Sequence, residues 1–212
     1  MLKRSQTEII MRNEHKLLAW LNALIVIGFS IHYFRTQNYE FVIYVGVIIF
    51  LYFLILLTLH RSKFDSFILW GLSVWAWLHM AGGGIVVGEG VLYGLHLIPI
   101  AGEGDTFILK FDQFVHAFGF GMSTLVVYHL LKAYLGSRVN YKVLYPIIVL
   151  AGMGVGALNE LLEFIVVLLV PSTGVGGYDN TMIDIVFNTI GAIIAAIVIH
   201  LRRTENAIQG GR

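Results

Sequence analysis

The chain has 212 residues, of which 58% are hydrophobic and only 13% charged, with a mean hydropathy of +0.80. A soluble domain carries roughly 45–50% apolar and about 25% charged residues, so too little charge is present to cover a water-facing surface of normal size. Lys and Arg number 14 against 13 Asp and Glu, which leaves no basic excess for nucleic acid, and the lack of cysteine excludes disulfides, zinc–thiolate sites and thiol nucleophiles.

What remains is an integral membrane protein. A hydrocarbon core of about 30 Å calls for roughly 20 apolar residues per helical span. Six stretches meet this requirement, at approximately 17–34, 41–59, 66–87, 111–135, 144–170 and 181–201. None shows the dyad alternation of a transmembrane β-strand. The predicted fold class is therefore all-α: a polytopic membrane protein, a bundle of six transmembrane helices in one integral membrane domain over 1–212. The first span lies too far from the start, and lacks a small-residue cleavage site, to read as a signal peptide.

Orientation follows from the basic residues beside the spans. Lys3, Arg4, Arg12, Lys16, Arg61, Lys63, Lys132, Arg138, Lys142, Arg202, Arg203 and Arg212 collect on one side, and only Arg35 and Lys110 on the other. This split predicts a multi-pass protein of the cell inner membrane with both termini cytoplasmic. The two longer outward connections are unusual. Residues 88–110 combine Gly with Glu89, His96, Glu103 and Asp105 and with the apolar run 92–100, which suits either an interfacial flap or a plain connector. Residues 171–180 read PSTGVGGYDN, a lid or a flexible link. The tail after Leu201 reads as a short, polar, frayed end.

Ionisable residues inside a membrane are costly and mark function by default. Counting about 1.5 Å per residue places His79 roughly 20 Å along the third span, and Glu160 and Glu163 about 24 and 28 Å along the fifth. On the fourth span His116 lies about 6 Å below Asp112; on the sixth Asp184 and Asn188 lie some 5–8 and 10–13 Å deep. Four helices thus put acidic and imidazole groups into one layer of the outer leaflet. The pairs Asp112–His116 and Asp184–Asn188 are spaced i,i+4, Glu160–Glu163 i,i+3, and Asn159 stands four before Glu163, so each set shares a helix face. Below them, Gly152 and Gly156, Gly191, Ala192 and Ala195, and Gly82 and Gly83 offer close-packing surfaces.

Three readings of this layer stand side by side. A divalent metal (Zn, Mn or Fe) held by His and carboxylates would activate water against an ester or phosphate of a membrane lipid or lipid-linked envelope substrate. Asp112, His116, Glu160 and Asp184 are its candidate ligands, Glu163 its general base and His79 a further ligand or oxyanion partner. Asp179, Asn188 and Asn159 are candidate lining residues. A proton- or cation-coupled transporter would use the same groups as a relay. A structural protein would use them as interhelical hydrogen bonds. No G-x-S-x-G elbow or Walker-type loop is present, so serine-hydrolase and P-loop chemistry have no support.

The blocks FDQFVHAFGFG, GALNELLEF and GGYDNTMIDIVFNTIGA resemble the YjdF-type bacterial inner-membrane proteins, and more distantly the VanZ-like family. The VanZ-like pattern of an Asp and His four apart, a Glu in a following helix, then an Asp and Asn-x-x-Gly falls here on Asp112, His116, Glu160, Asp184, Asn188 and Gly191. Where that pattern often has Gln, this chain has Glu163; where it often has Arg before the last Asp, Tyr178, Asp179 and Asn180 stand instead. The likeness implies a cell-envelope role, since VanZ-like proteins are associated with reduced sensitivity to glycopeptide antibiotics. The departures add negative charge and suit a bound cation.

Overall fold

A computed structural model describes residues 13–102, 107–136 and 138–210. Lys3, Arg4, Arg12 and Arg212 of the basic set, and Glu103 and Asp105 of the long connection, lie outside the described residues. Among the described residues six α-helices make up the bundle: α1 (Asn13–Arg35), α2 (Tyr39–Ser62), α3 (Ser66–Gly84), α4 (Phe111–Leu131), α5 (Tyr141–Leu169) and α6 (Tyr178–Gly210). Their starts follow from local chemistry. Asn38 accepts from the Phe41 amide at 3.2 Å and Asp65 from Ile68 at 2.9 Å, each satisfying a donor that the first helical turn leaves free.

Helices α1, α2, α4, α5 and α6 are long and apolar enough to cross a membrane. The remaining helix, α3, has 19 residues and a length of about 28 Å, but its apolar content is diluted by three tryptophans, four glycines and His79. Its position explains that composition. From Ile68 to Gly84 none of its residues is exposed, and it packs against α1, α2 and α4. Surrounded by protein, it can carry hydrogen-bonding side chains that a lipid-facing helix cannot: Asn22 of α1 donates to Ser73 at 2.8 Å and accepts from Trp77 at 2.8 Å.

The closest packing is between α4 and α6, and small residues make it possible. A Cβ added at Gly191 of α6 would overlap the carbonyl oxygen of Ala117 on α4, and one added at Gly156 of α5 would lie 2.8 Å from the Asn188 amide nitrogen. The polar stripes of α4, α5 and α6 are thereby drawn into one another.

Two connections depart from simple links. Residues 85–102 and 107–110 carry two small antiparallel strand pairs, β1 (Val86–Val87) with β2 (Gly90–Val91) and β3 (His96–Ala101) with β4 (Ile108–Lys110), with a 3₁₀ turn between β2 and β3. Strand β3 is exposed along its length, with Ile98 and Ile100 at 55% and 62%. The link from α5 to α6 is tied down rather than loose, because Gly174 donates its amide to Glu40 of α2 at 2.7 Å. At the other end of the bundle the expected fray is replaced by helix: the backbone stays helical to Gly210. The residues after Leu201 include good helix formers, and nothing there breaks the ladder.

Candidate functional site

His116 is the hub of the site. It lies one turn below Asp112 on α4, is 7% exposed, and meets groups from α5 and α6. Its Nε2 is 3.5 Å from Asp112 Oδ1 and 3.9 Å from Glu163 Oε1, and its Nδ1 is 3.6 Å from Glu160 Oε1 and 3.0 Å from Asn188 Oδ1. Asn188 also donates from Nδ2 to Glu160 Oε1 at 3.3 Å. An ionised Glu160 can only accept, which fixes the direction of the amide and leaves Asn188 Oδ1 as acceptor toward the imidazole. In that state His116 carries a proton on Nδ1. Its Nε2 is the atom left to face Asp112 and Glu163, as a donor when charged or as a lone pair when neutral.

Asp184 is buried on α6, and its Oδ2 accepts from Asn180 Nδ2 at 2.6 Å; the same nitrogen donates to the Val175 carbonyl at 3.1 Å. Asn159 donates to Glu163 Oε1 at 2.7 Å. One ligand atom each from Asp112, His116 and Asp184 lies within 4.8 Å of the others, and the same holds for His116, Glu160 and Glu163. Two carboxylate oxygens, Glu160 Oε2 and Asp184 Oδ1, are buried with no hydrogen-bond partner among the described residues. Four carboxylates thus surround one imidazole. Lys110, at the head of α4, attracts Asp112 and Asp184 and offsets part of the charge. The rest calls for protons or a cation, because each uncompensated buried ion costs several kcal/mol.

His79 lies in neither ligand group. Its Nδ1 is 2.5 Å from the hydroxyl of Tyr93, which stands on the 3₁₀ turn between the hairpins, and its ring abuts Phe41 and Tyr44. Burial and the neighbouring Asp112 charge push the Tyr93 phenol well above its ordinary range, so Tyr93 is the donor of that pair. Gly82 makes room for the Tyr93 ring, where a Cβ would clash with it. Asp179 is exposed on the first turn of α6, and Asn180 occupies the inward position. The reason is spacing, since Asn180, Asp184 and Asn188 follow one another at i,i+4 whereas Asp179 falls on the adjacent face.

Four further residues shape the site. Glu40, buried at the start of α2, holds the α5–α6 link. Tyr44 is buried beside His79, and its hydroxyl has no hydrogen-bond partner among the described residues. Tyr93 latches the hairpin connection to α3. Gln113, fully buried on α4, accepts from the amides of Leu109 (2.6 Å) and Lys110 (3.0 Å) and donates to the Phe107 carbonyl (2.8 Å). It holds Leu109 at a φ of 79°, a region that residues with a side chain seldom adopt. A polar residue at i,i+4 from another was the available signal for Asn180; for Tyr44 and Tyr93 the sequence carries none, since aromatic residues near span ends are common anchors.

Residues 16–205 match the family described as "Predicted membrane protein (DUF2238)". No curated protein and no solved structure matches the chain.

Proposed function

Since the chain belongs to this family of predicted membrane proteins, a description that names a setting and no reaction, we propose that it is a multi-pass membrane enzyme with a divalent cation in the His116 cluster, acting on a lipid or lipid-linked headgroup. The observation that carries the reading is the pair of buried, unpartnered carboxylate oxygens, Glu160 Oε2 and Asp184 Oδ1, on two helices that both face His116. Asp112, His116, Glu160 and Asp184 are the ligands, a mixed imidazole and carboxylate set that suits Mn²⁺, Fe²⁺ or Zn²⁺. When bound, the cation lowers the pKa of water and polarises a phosphate or ester oxygen. Glu163, steadied by Asn159, takes the proton of the attacking water, and Asn188 keeps the His116 ring turned so that Nε2 faces inward.

On the same footing, six helices span the inner membrane with both termini cytoplasmic, and the site lies toward the outer face. The correspondence with YjdF-type and VanZ-like proteins, and the cell-envelope role it implies, belong to this proposal too. Metal analysis of the purified protein tests it. About one Mn, Fe or Zn per chain is expected, with stoichiometric loss in Glu160→Ala and His116→Ala variants that remain folded by thermal melt. A wild-type protein free of bound metal that also fails to take up added Mn²⁺ overturns the reading. Cation flux in proteoliposomes that Glu160→Gln abolishes would replace it with transport.

A further inference from the structure

Beside the carboxylate cluster, α1, α2, α3, α4 and α5 line a cavity of about 920 Å³, at the upper end of the roughly 300–1,000 Å³ of small-molecule sites. Its walls are apolar, with Val47, Leu51, Leu72, Ala76, Val126 and Val155 among the lining residues. It is open sideways between α2 and α5: the lining residues Phe50, Leu54 and Leu158 also face outward, at 65%, 46% and 61% exposure. Tyr44 and Arg61 line opposite ends and stand 17 residues apart on α2, a distance of about 25 Å against a hydrocarbon core of about 30 Å.

The length and the lateral opening point to an occupant that comes from the bilayer itself, since an acyl chain can enter sideways and lie along apolar walls of that span. The ends differ in what they need. Arg61 is exposed and meets the membrane surface whether or not the cavity is filled. Tyr44 lines the acidic end beside His79, with a buried hydroxyl that has no partner among the described residues, and Asn159, the donor to Glu163, lines the same cavity. A buried hydroxyl without a partner is costly, and an oxygen of a ligand would satisfy it.

We propose that this chamber holds one acyl chain of a membrane phospholipid, which slides in from the bilayer between α2 and α5. The ester oxygens meet Tyr44 and His79, the chain runs down past Ala76, and the headgroup lies at the carboxylate cluster. The chamber stops at the basic end, so a chain much longer than the membrane is thick would have to leave through the side. This deepens the proposed reading by naming the substrate class, and it rests on that reading only for what the headgroup meets.

Native mass spectrometry of the full chain in detergent, with dioleoyl phosphatidylglycerol as the probe, tests it. Wild-type protein is expected to retain one lipid per chain. Ala76→Phe, which fills the chamber, and Leu158→Trp, which obstructs its exposed mouth without touching the core, are each expected to lower retention about tenfold. Tyr44→Phe loses one hydrogen bond and is expected to lower it about threefold. Leu168→Phe, at an exposed position away from the cavity, leaves it unchanged. Retention that is equal in wild type, Ala76→Phe and Leu158→Trp overturns the proposal, as does a preference for a long polyprenyl phosphate. Repeating the titration with chelator and with Mn²⁺ separates the two readings. Lipid retained by protein that never binds metal supports the chamber and removes the cation; metal bound with no lipid retained does the opposite.

Discussion

Asn188 makes two hydrogen bonds that no other side chain of its size could make at once: it accepts from His116 and donates to Glu160. The first decides which imidazole nitrogen faces the cluster; the second stops two buried acceptors from meeting. Groups that orient a ligand in this way typically account for about 10–100-fold in metal affinity. Asn188→Ala should therefore weaken Mn²⁺ binding by about 10–100-fold, as read by calorimetric titration of chelator-stripped protein. Asn188→Asp should be no better, because the acceptor for His116 is kept while the bond to Glu160 becomes a repulsion. Affinity equal to wild type in Asn188→Ala would show that His116 is not held through its Nδ1. Much of this site is legible in the sequence, because i,i+4 arithmetic places His116 with Asp112 and Asn188 with Asp184 on single faces. What the arithmetic does not supply is depth at a helix start, where one residue decides between water and cluster. That is why Asp179 stands outside and Asn180 inside. Nor does it reveal partners across the bundle, such as Tyr93 on His79, which depend on a connection folding back.

The helices themselves are legible as apolar runs, since each must satisfy its own backbone in lipid. The hairpins are not: three of the four strands have two or three residues, too short to display a period of two, and the six-residue β3 reads HLIPIA, with a proline and no alternation. At this scale the controlling contact is α4 against α6. At Gly191 a side chain would run into backbone, which cannot swing aside, so α6 would have to move away from Ala117. Gly191→Val should destabilise the bundle by about 1–3 kcal/mol or more, the range for overpacked cores, seen as a lowered melting midpoint in detergent. It should also separate Asn188 from His116, three residues above. Gly28 of α1 has open space where its Cβ would be, and Ala is favoured over Gly in a helix by about 0.8–1.0 kcal/mol, so Gly28→Ala should leave the midpoint unchanged or raise it. Equal midpoints for Gly191→Val and Gly28→Ala would contradict the close α4–α6 packing.

Across the whole molecule the charges divide by end. Arg61, Lys63, Lys132, Arg138, Lys142, Arg202 and Arg203 gather where α2, α4 and α6 finish and where α3 and α5 begin, while the buried Glu40, Glu160 and Asp184 and the partly buried Asp112 and Glu163 sit at the opposite end. The basic end is also braced by its cations, with Arg202 over the Phe67 ring at 4.1 Å and Arg203 over Tyr141 at 3.9 Å. Basic residues beside short loops are retained in the cytoplasm, so this division predicts an absolute orientation as well as a polarity. The absence of cysteine makes the orientation directly measurable, because any introduced thiol is the only one present. Glu89→Cys, in the turn between β1 and β2, should react with a membrane-impermeant maleimide in intact spheroplasts. Lys142→Cys, in the first turn of α5, should react only after permeabilisation. Both positions lie outside the packed interior, so neither change disturbs the bundle. The reverse labelling pattern would put the carboxylate cluster on the cytoplasmic side, and with it the headgroups that the cluster meets. Labelling of both thiols in intact spheroplasts would put both ends of α4, the one α-helix between them among the described residues, on the outside and would contradict its crossing.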